Sequence, residues 1–151
     1  MHFQTSRFGI VQAAPAQVVT FTRGLIGFTE LTRFVFIPSE DSELFTWLQS
    51  VDDPDIAFLL TDPTLFFRDY TVPIREETQQ EIQLDDATAA RARVLVICSK
   101  VGDWLTGNLL GPIVMNEKNL LAQQAVLTEK KWTTRQPLAK LQSESRMAKA
   151  A

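Results

Sequence analysis

The chain has 151 residues, of which 45% are apolar and 22% are charged, and its formal net charge at pH 7 is −3. This length fits one domain with its own core, and the composition is that of a folded protein and excludes a wholly disordered chain. The longest apolar runs, 56–60 and 94–98, have five residues each, whereas a membrane-spanning helix needs about 20, so we expect no membrane segment.

Short apolar and β-branched segments between turn residues predict a protein built mainly from strands. The segment 69–74 contains Pro73, which places it at an edge or a strand end. The segment 105–115 is interrupted by Gly111 and Pro112, which predicts one long strand with a bend. In chain order the predicted strands are 8–11, 17–21, 33–37, 44–48, 56–61, 69–74, 94–100, 105–115 and 122–127.

A short helical insert around residues 75–91 separates the two groups of strands. The helix is predicted at 75–82, and Asp85 and Asp86 cap a short turn through Arg91. This order predicts a mainly β fold, a small antiparallel β-barrel-like single domain. We expect residues 1–138 to form the domain and 139–151 a poorly ordered tail.

Single counts of two reactive residue types exclude several classes of site. The chain has one cysteine, Cys98, and one histidine, His2, so intrachain disulfides, cysteine-based zinc sites and multi-histidine metal sites are excluded. Cys98 ends an apolar run and predicts a buried, inert thiol, while His2 lies at a terminus that should fray. With no glycine-rich phosphate loop either, the sequence predicts a protein that is not an enzyme, with no metal and no cofactor.

Negative charge is concentrated in residues 39–62, which hold seven acids and no lysine or arginine. Such a block repels nucleic acid and attracts basic partners, although a solvated pair of loops has the same composition. The turn of Asp52, Asp53, Pro54 and Asp55 has the same two interpretations, a capped structural turn or part of a partner surface. It lacks the alternating ligands and the glycine of a calcium-binding loop.

Three further positions allow two interpretations from sequence, a structural role or a role in binding a partner. Strand alternation allows Phe66 or Phe67 to be buried but hardly both, so one of them is expected at the surface, where aromatic residues favour protein interfaces. Asn108 and Asn116 lie in or next to strands, where they either bond a bend or face a partner.

Four blocks of sequence resemble the flagellar assembly factor FliW family over about residues 4–138. The segment 47–58, Trp-Leu-Gln-Ser-Val-Asp-Asp-Pro-Asp-Ile-Ala-Phe, is similar to the central block of that family. Further blocks follow the same order as in the family, at 24–28, 62–70 and 106–116, with Arg-Gln-Pro-Leu at 135–138.

This resemblance implies a cytoplasmic regulatory protein with a small antiparallel β-barrel. Members of the family bind the RNA-binding translational regulator CsrA and also bind flagellin. They hold CsrA away from flagellin mRNA by a non-competitive route, and accumulating flagellin captures the factor and releases CsrA. We therefore expect a monomer when free that binds CsrA and flagellin but neither nucleic acid directly nor a membrane.

The resemblance and the residue patterns together nominate a partner-binding surface. Two alternative functions remain at this stage, a flavin-type small-molecule-binding barrel and an OB-like barrel that binds nucleic acid.

Trp47, Phe58 and Val96 are predicted to be buried in the barrel. The nominated partner-binding residues are Asp52, Asp53, Asp55, Phe67, Asp69, Tyr70 and Asn108.

Overall fold

The structure is a computed structural model that describes residues 1–85 and 92–141. These residues form eleven strands, one α-helix and two 3-10 helices. The 3-10 helices are Pro15–Gln17 and Pro63–Leu65, and helix α1 is Glu76–Glu81. The strands are β1 (His2–Thr5), β2 (Gly9–Gln12), β3 (Val18–Phe21), β4 (Arg33–Pro38), β5 (Phe45–Ser50), β6 (Ala57–Thr61), β7 (Ala92–Val101), β8 (Trp104–Gly107), β9 (Ile113–Asn116), β10 (Leu121–Gln124) and β11 (Gln136–Lys140).

Seven of these strands close into a barrel. The order around it is β7, β6, β5, β4, β3, β10 and β9, and β9 then pairs with β7 to complete the ring. Every pair in the ring is antiparallel except β3 with β10, which is parallel. Closure leaves no open edge within this ring. The predicted mainly β, antiparallel barrel is therefore confirmed, with one parallel pair.

Strand β7 belongs to the barrel along only part of its length. Its first half pairs with β9, and its second half pairs with β8, which carries β11 on its other edge. The prediction of one bent strand over 105–115 is therefore wrong, because β8 ends at Gly107 and β9 begins at Ile113. Gly111 and Pro112 lie in the connection, where neither needs to extend a ladder.

Two further predictions of secondary structure are wrong. Residues 69–74 form no strand, which agrees with the missing N–H of Pro73. The N-terminus does not fray, because β1 pairs with β2 and sets His2 opposite Gln12. Strand β11, which contains Pro137 beside a register shift, was not predicted. It extends two residues beyond the predicted domain boundary, and residues 142–151 of the predicted tail lie outside the described residues.

The main core fills the barrel and is formed by buried residues of its seven strands and by Leu25 from the connection between β3 and β4. Val96 is fully buried, as predicted, but Trp47 and Phe58 are only half-buried. Phe58 packs at the margin of this core against Phe34, with ring centres 6.3 Å apart. The buried residues of this cluster are Val19, Phe21, Leu25, Phe34, Leu48, Leu60, Leu95, Ile113, Met115 and Ala122.

Helix α1 confirms the predicted helix but is one residue shorter at each end. It ends where Gln83 takes a left-handed backbone conformation with φ 61° and Leu84 N–H donates to Gln79 at 2.7 Å. Ile82 and Leu84 then pack on Val114 in a separate small cluster. The predicted capped turn from Asp85 to Arg91 lies, beyond its first residue, outside the described residues. No helix among the described residues is long and apolar enough to span a membrane.

Candidate functional site

The acidic turn between β5 and β6 is organised by hydrogen bonds from its backbone N–H groups to side chains of nearby residues. The hydroxyl oxygen of Ser50 accepts from the backbone N–H groups of Asp52 (3.2 Å) and Asp53 (2.9 Å). The carboxylate of Asp53 accepts from the N–H of Asp55 at 3.0 Å. These are the bonds of a capped turn, so the structural role considered from sequence is present here.

Two carboxylates of this turn are engaged by residues from other elements. Asp52 forms an exposed ion pair with the guanidinium of Arg33 on β4, with N–O distances of 2.5 and 3.2 Å. Hydrogen bonding to Asp52 raises the pKa of Arg33 above its ordinary value. Asp55 accepts a hydrogen bond from the hydroxyl of Ser6. The turn is therefore exposed, but part of its charge is already paired within the chain.

Gln49 lies beneath the acidic turn and was not singled out from the sequence. Its side chain is fully buried, and its Nε2 donates to the carbonyl oxygens of Ser50 (3.0 Å) and Ile56 (3.1 Å). Weaker bonds reach the carbonyls of Asp53 (3.5 Å) and Pro54 (3.4 Å). A polar residue at an inward position of a strand is the only sequence signal of this arrangement. The Gln49 amide thus holds the turn from inside.

Tyr70 and Phe67 belong to a second apolar cluster around Trp132. Tyr70 is buried, and its hydroxyl donates to the carbonyl oxygen of Leu109 at 2.7 Å. Its ring and that of Phe67 lie 5.4 and 5.1 Å from the Trp132 ring. Burial raises the pKa of the Tyr70 phenol well above its ordinary value, and Glu129 adds to the shift. Phe66 and Phe67 are both half-buried, so neither is the freely exposed aromatic residue expected.

Asp69 and Asn108 flank this second cluster. Asp69 is exposed and forms an ion pair with Lys131, whose hydrogen bond lowers the pKa of that carboxyl. The Asn108 carboxamide oxygen accepts from Leu110 N–H at 3.2 Å, a bond that stabilises the bend after β8. Asn116, the other asparagine left open, is buried and donates to the carbonyl of Ile82 at 2.9 Å.

The nominated residues form two separate groups. Leu109 links Tyr70 to the neighbouring Asn108, and Asp69 adjoins Tyr70. Among the described residues, no hydrogen bond, ion pair or ring contact joins this group to the acidic turn of Asp52, Asp53 and Asp55.

Cys98 shows the environment predicted for an inert thiol. It is buried on β7, and burial raises the pKa of its thiol to about 12. A thiol that stays protonated is a poor nucleophile.

Comparison with known proteins connects this fold to one family. A family model described as FliW protein matches residues 2–138. The chain belongs to the FliW family. It is 39% identical to the flagellar assembly factor FliW of Moorella thermoacetica over 142 residues, which is 93% of this chain and 89% of that protein. It is 35% identical to the protein of the same name from Treponema denticola over 147 residues, 97% and 99% of the two chains.

A solved structure from the same family has the same fold as this chain. The crystal structure of the flagellar assembly factor FliW superposes with a TM-score of 0.83 and 29% identity, covering 94% of this chain and 99% of that chain. The resemblance identified from sequence is confirmed. It favours the FliW interpretation over the flavin-type and OB-like barrels, which shared only the barrel shape.

Proposed function

We propose that this protein is a non-enzymatic flagellar assembly factor that acts in the cytoplasm, binds CsrA and also binds flagellin. Membership of the FliW family over almost the whole chain carries this proposal. Binding of CsrA keeps that regulator from flagellin mRNA, and flagellin competes for the same factor. Translation of flagellin then falls when unassembled flagellin accumulates.

The charge distribution supports a basic, RNA-binding partner such as CsrA. RNA-binding proteins carry positive surface because they neutralise phosphates. Of the seven acids between residues 39 and 62, only Asp52 has an ion pair among the described residues. The remaining negative potential attracts a basic protein and repels the phosphates of its RNA. The protein therefore opposes RNA binding without touching the RNA.

The partner surface that we propose contains both groups of nominated residues. Asp52, Asp53 and Asp55 supply negative charge at the β5–β6 turn. In the second group, Asp69 is exposed and Phe67 is half-buried, while buried Tyr70 and the bend at Asn108 position them.

Co-elution of purified proteins tests this proposal. We expect stable complexes with CsrA and with flagellin on size exclusion, and displacement of CsrA when flagellin is added. In a gel shift with flagellin leader RNA, this protein should abolish the CsrA–RNA complex. Failure to bind CsrA at micromolar concentrations would contradict the proposal, and so would unchanged CsrA–RNA binding in its presence.

A further inference from the structure

A groove of about 680 Å³ separates the N-terminal hairpin of β1 and β2 from the β4–β5 hairpin. Six of its ten lining residues are apolar, and the other four are Arg7, which is its one base, Ser39, Glu40 and Asp41. Arg7 itself lies with its guanidinium 4.3 Å from the centre of the Trp47 ring. Ile10 is 66% exposed, the largest exposure among the exposed large apolar residues of the described chain. The apolar lining residues are Phe8, Ile10, Val11, Ile37, Pro38 and Trp47.

Strand β2 has an unpaired edge beside Ile10. Met1 and Ala13 exchange both backbone hydrogen bonds, at 2.8 and 3.0 Å. Because bonded pairs alternate along an antiparallel ladder, the backbone groups of Ile10 face away from β1. Among the described residues β2 pairs only with β1. An exposed strand edge with a large apolar side chain is a ready surface for another protein.

The rim of the groove is negatively charged. Glu40 and Asp41 line it, and Glu43 follows in the same loop. All three are exposed, and none of them forms an ion pair with another described residue. The acidic turn differs, because Asp52 is held by Arg33 and Asp55 by Ser6. The three carboxylates beside the groove therefore have no side-chain partner among the described residues, whereas two of the three in the acidic turn have one.

We propose that this groove is the docking site for the basic partner of the proposed function, CsrA, on which this inference rests. The occupant is a segment of that protein with apolar side chains flanked by lysine or arginine. Apolar side chains would cover Ile10 and Trp47, and the cations would reach Glu40, Asp41 and Glu43. RNA is disfavoured by the acidic rim, and a second copy of this chain would bring two acidic rims together.

A single substitution with a matched control tests the apolar part of the site. Ile10→Ser removes apolar surface from the groove, and Val126→Ser removes it from a site that is 60% exposed and lines a different pocket. We expect Ile10→Ser to weaken CsrA binding at least tenfold, measured by titration calorimetry, and Val126→Ser to change it less than twofold. Both variants should keep the wild-type melting temperature. Equal affinities for the two variants would overturn the proposal.

Two triple substitutions with the same change of charge test the rim. Glu40→Gln/Asp41→Asn/Glu43→Gln and Asp52→Asn/Asp53→Asn/Asp55→Asn each remove three negative charges. Both should slow association, because long-range attraction depends on total charge. The first should raise the dissociation rate by at least tenfold and the second by clearly less, because the carboxylates of the first lie at the groove, whereas Asp52 and Asp55 are already bonded to Arg33 and Ser6.

The outcomes separate this inference from the proposed function. If wild-type protein binds CsrA but the two triple variants dissociate at equal rates, the docking site is wrong and the function stands. Loss of flagellin binding alone in Ile10→Ser would likewise overturn the site. If wild-type protein does not bind CsrA at all, both proposals fail.

Discussion

The backbone N–H of Ser6 donates a hydrogen bond of 2.9 Å to the carbonyl oxygen of Pro54. This bond ties the tip of the β1–β2 hairpin to the acidic turn between β5 and β6. It joins two backbone groups, so it does not depend on the charge of the neighbouring carboxylates. The turn can therefore lose its charge and keep its shape.

Neutralising the acidic turn should change association without changing stability. In Asp52→Asn/Asp53→Asn/Asp55→Asn the carboxamide oxygens keep the turn's acceptors, and the lost Arg33 pair is exposed and contributes little. We expect an unchanged melting curve and several-fold slower association with CsrA at low salt, since electrostatic steering raises on-rates by about 10- to 1,000-fold. The difference should narrow towards about 1 M salt, where the Debye length is about 3 Å. Equal stopped-flow rates for variant and wild type at low salt would leave the turn a purely structural element.

The isolated protein should not bind flagellin leader RNA at physiological salt. Its acidic block repels the phosphates of RNA. Proteins that bind RNA instead carry basic residues, which neutralise phosphates and release the counterions of the RNA. A gel shift with the purified protein alone is the measurement, and CsrA serves as the positive control. Binding at micromolar concentration or tighter would refute the regulatory interpretation.

Replacing a fully buried phenylalanine and a half-buried one by alanine should lower the free energy of unfolding by different amounts. Phe34 is fully buried, and Phe34→Ala should cost about 3–5 kcal/mol of unfolding free energy. Phe58 is half-buried, so the cavity left by Phe58→Ala is partly open to solvent and the loss should be about 2–3 kcal/mol. Urea denaturation of both variants measures the difference. An equal loss in the two variants would show that Phe58 is as buried as Phe34.

Tyr70 is the only tyrosine of the chain, so alkaline absorbance titration reports its ionisation alone. Its pKa is raised in the folded state by burial. The neutral phenol therefore contributes stability that is fully present below the unfolded pKa, about 10, and is lost as pH rises through the folded pKa. We expect ionisation only at a pH where the protein unfolds. Ionisation near pH 10 in the folded protein would contradict its burial.

The hydroxyl of Tyr70 can be tested separately from its ring. Tyr70→Phe keeps the contact with Trp132 but leaves the carbonyl of Leu109 without its 2.7 Å donor. Loss of a partner for a buried acceptor costs about 1–3 kcal/mol. Chemical denaturation should show this loss together with unchanged flagellin binding if Tyr70 acts by packing.

Two glycines of the 24–28 loop should respond differently to alanine. Gly24 and Gly27 both have positive φ, 70° and 88°, and alanine in such a conformation costs about 1–2 kcal/mol. A Cβ at Gly24 would also lie 2.5 Å from the carbonyl oxygen of Thr29, whereas one at Gly27 meets nothing within 4 Å. Gly24→Ala should therefore lower the unfolding free energy clearly more than Gly27→Ala. Similar melting temperatures for the two variants would contradict this close approach.

Several elements were predictable because their signals are local. The apolar runs of β6 and β7, the acidic first turn of α1 and the proline that ends β4 each set a local conformation. The split of 105–115 into β8 and β9 was not predictable in the same way. It depends on β7 pairing with two different strands along one edge, and pairing is decided by distant segments. For the same reason β1 and β11, which exist by pairing with β2 and β8, were missed.

The candidate site likewise has features that follow from the sequence and features that depend on the fold. The amino-acid sequence by itself determined the family, the barrel class and the block of negative charge at 39–62, because composition and motif order are properties of the chain alone. Only the tertiary structure decided that Arg33 and Ser6 engage the acidic turn, while Glu40, Asp41 and Glu43 have no ion pair and lie beside the groove between the two hairpins. The physical reason is that the partners of a carboxylate, a cation such as Arg33 or a hydroxyl such as Ser6, are its neighbours in space. Those neighbours come from β4 and from the N-terminal hairpin, which the fold alone brings to this face.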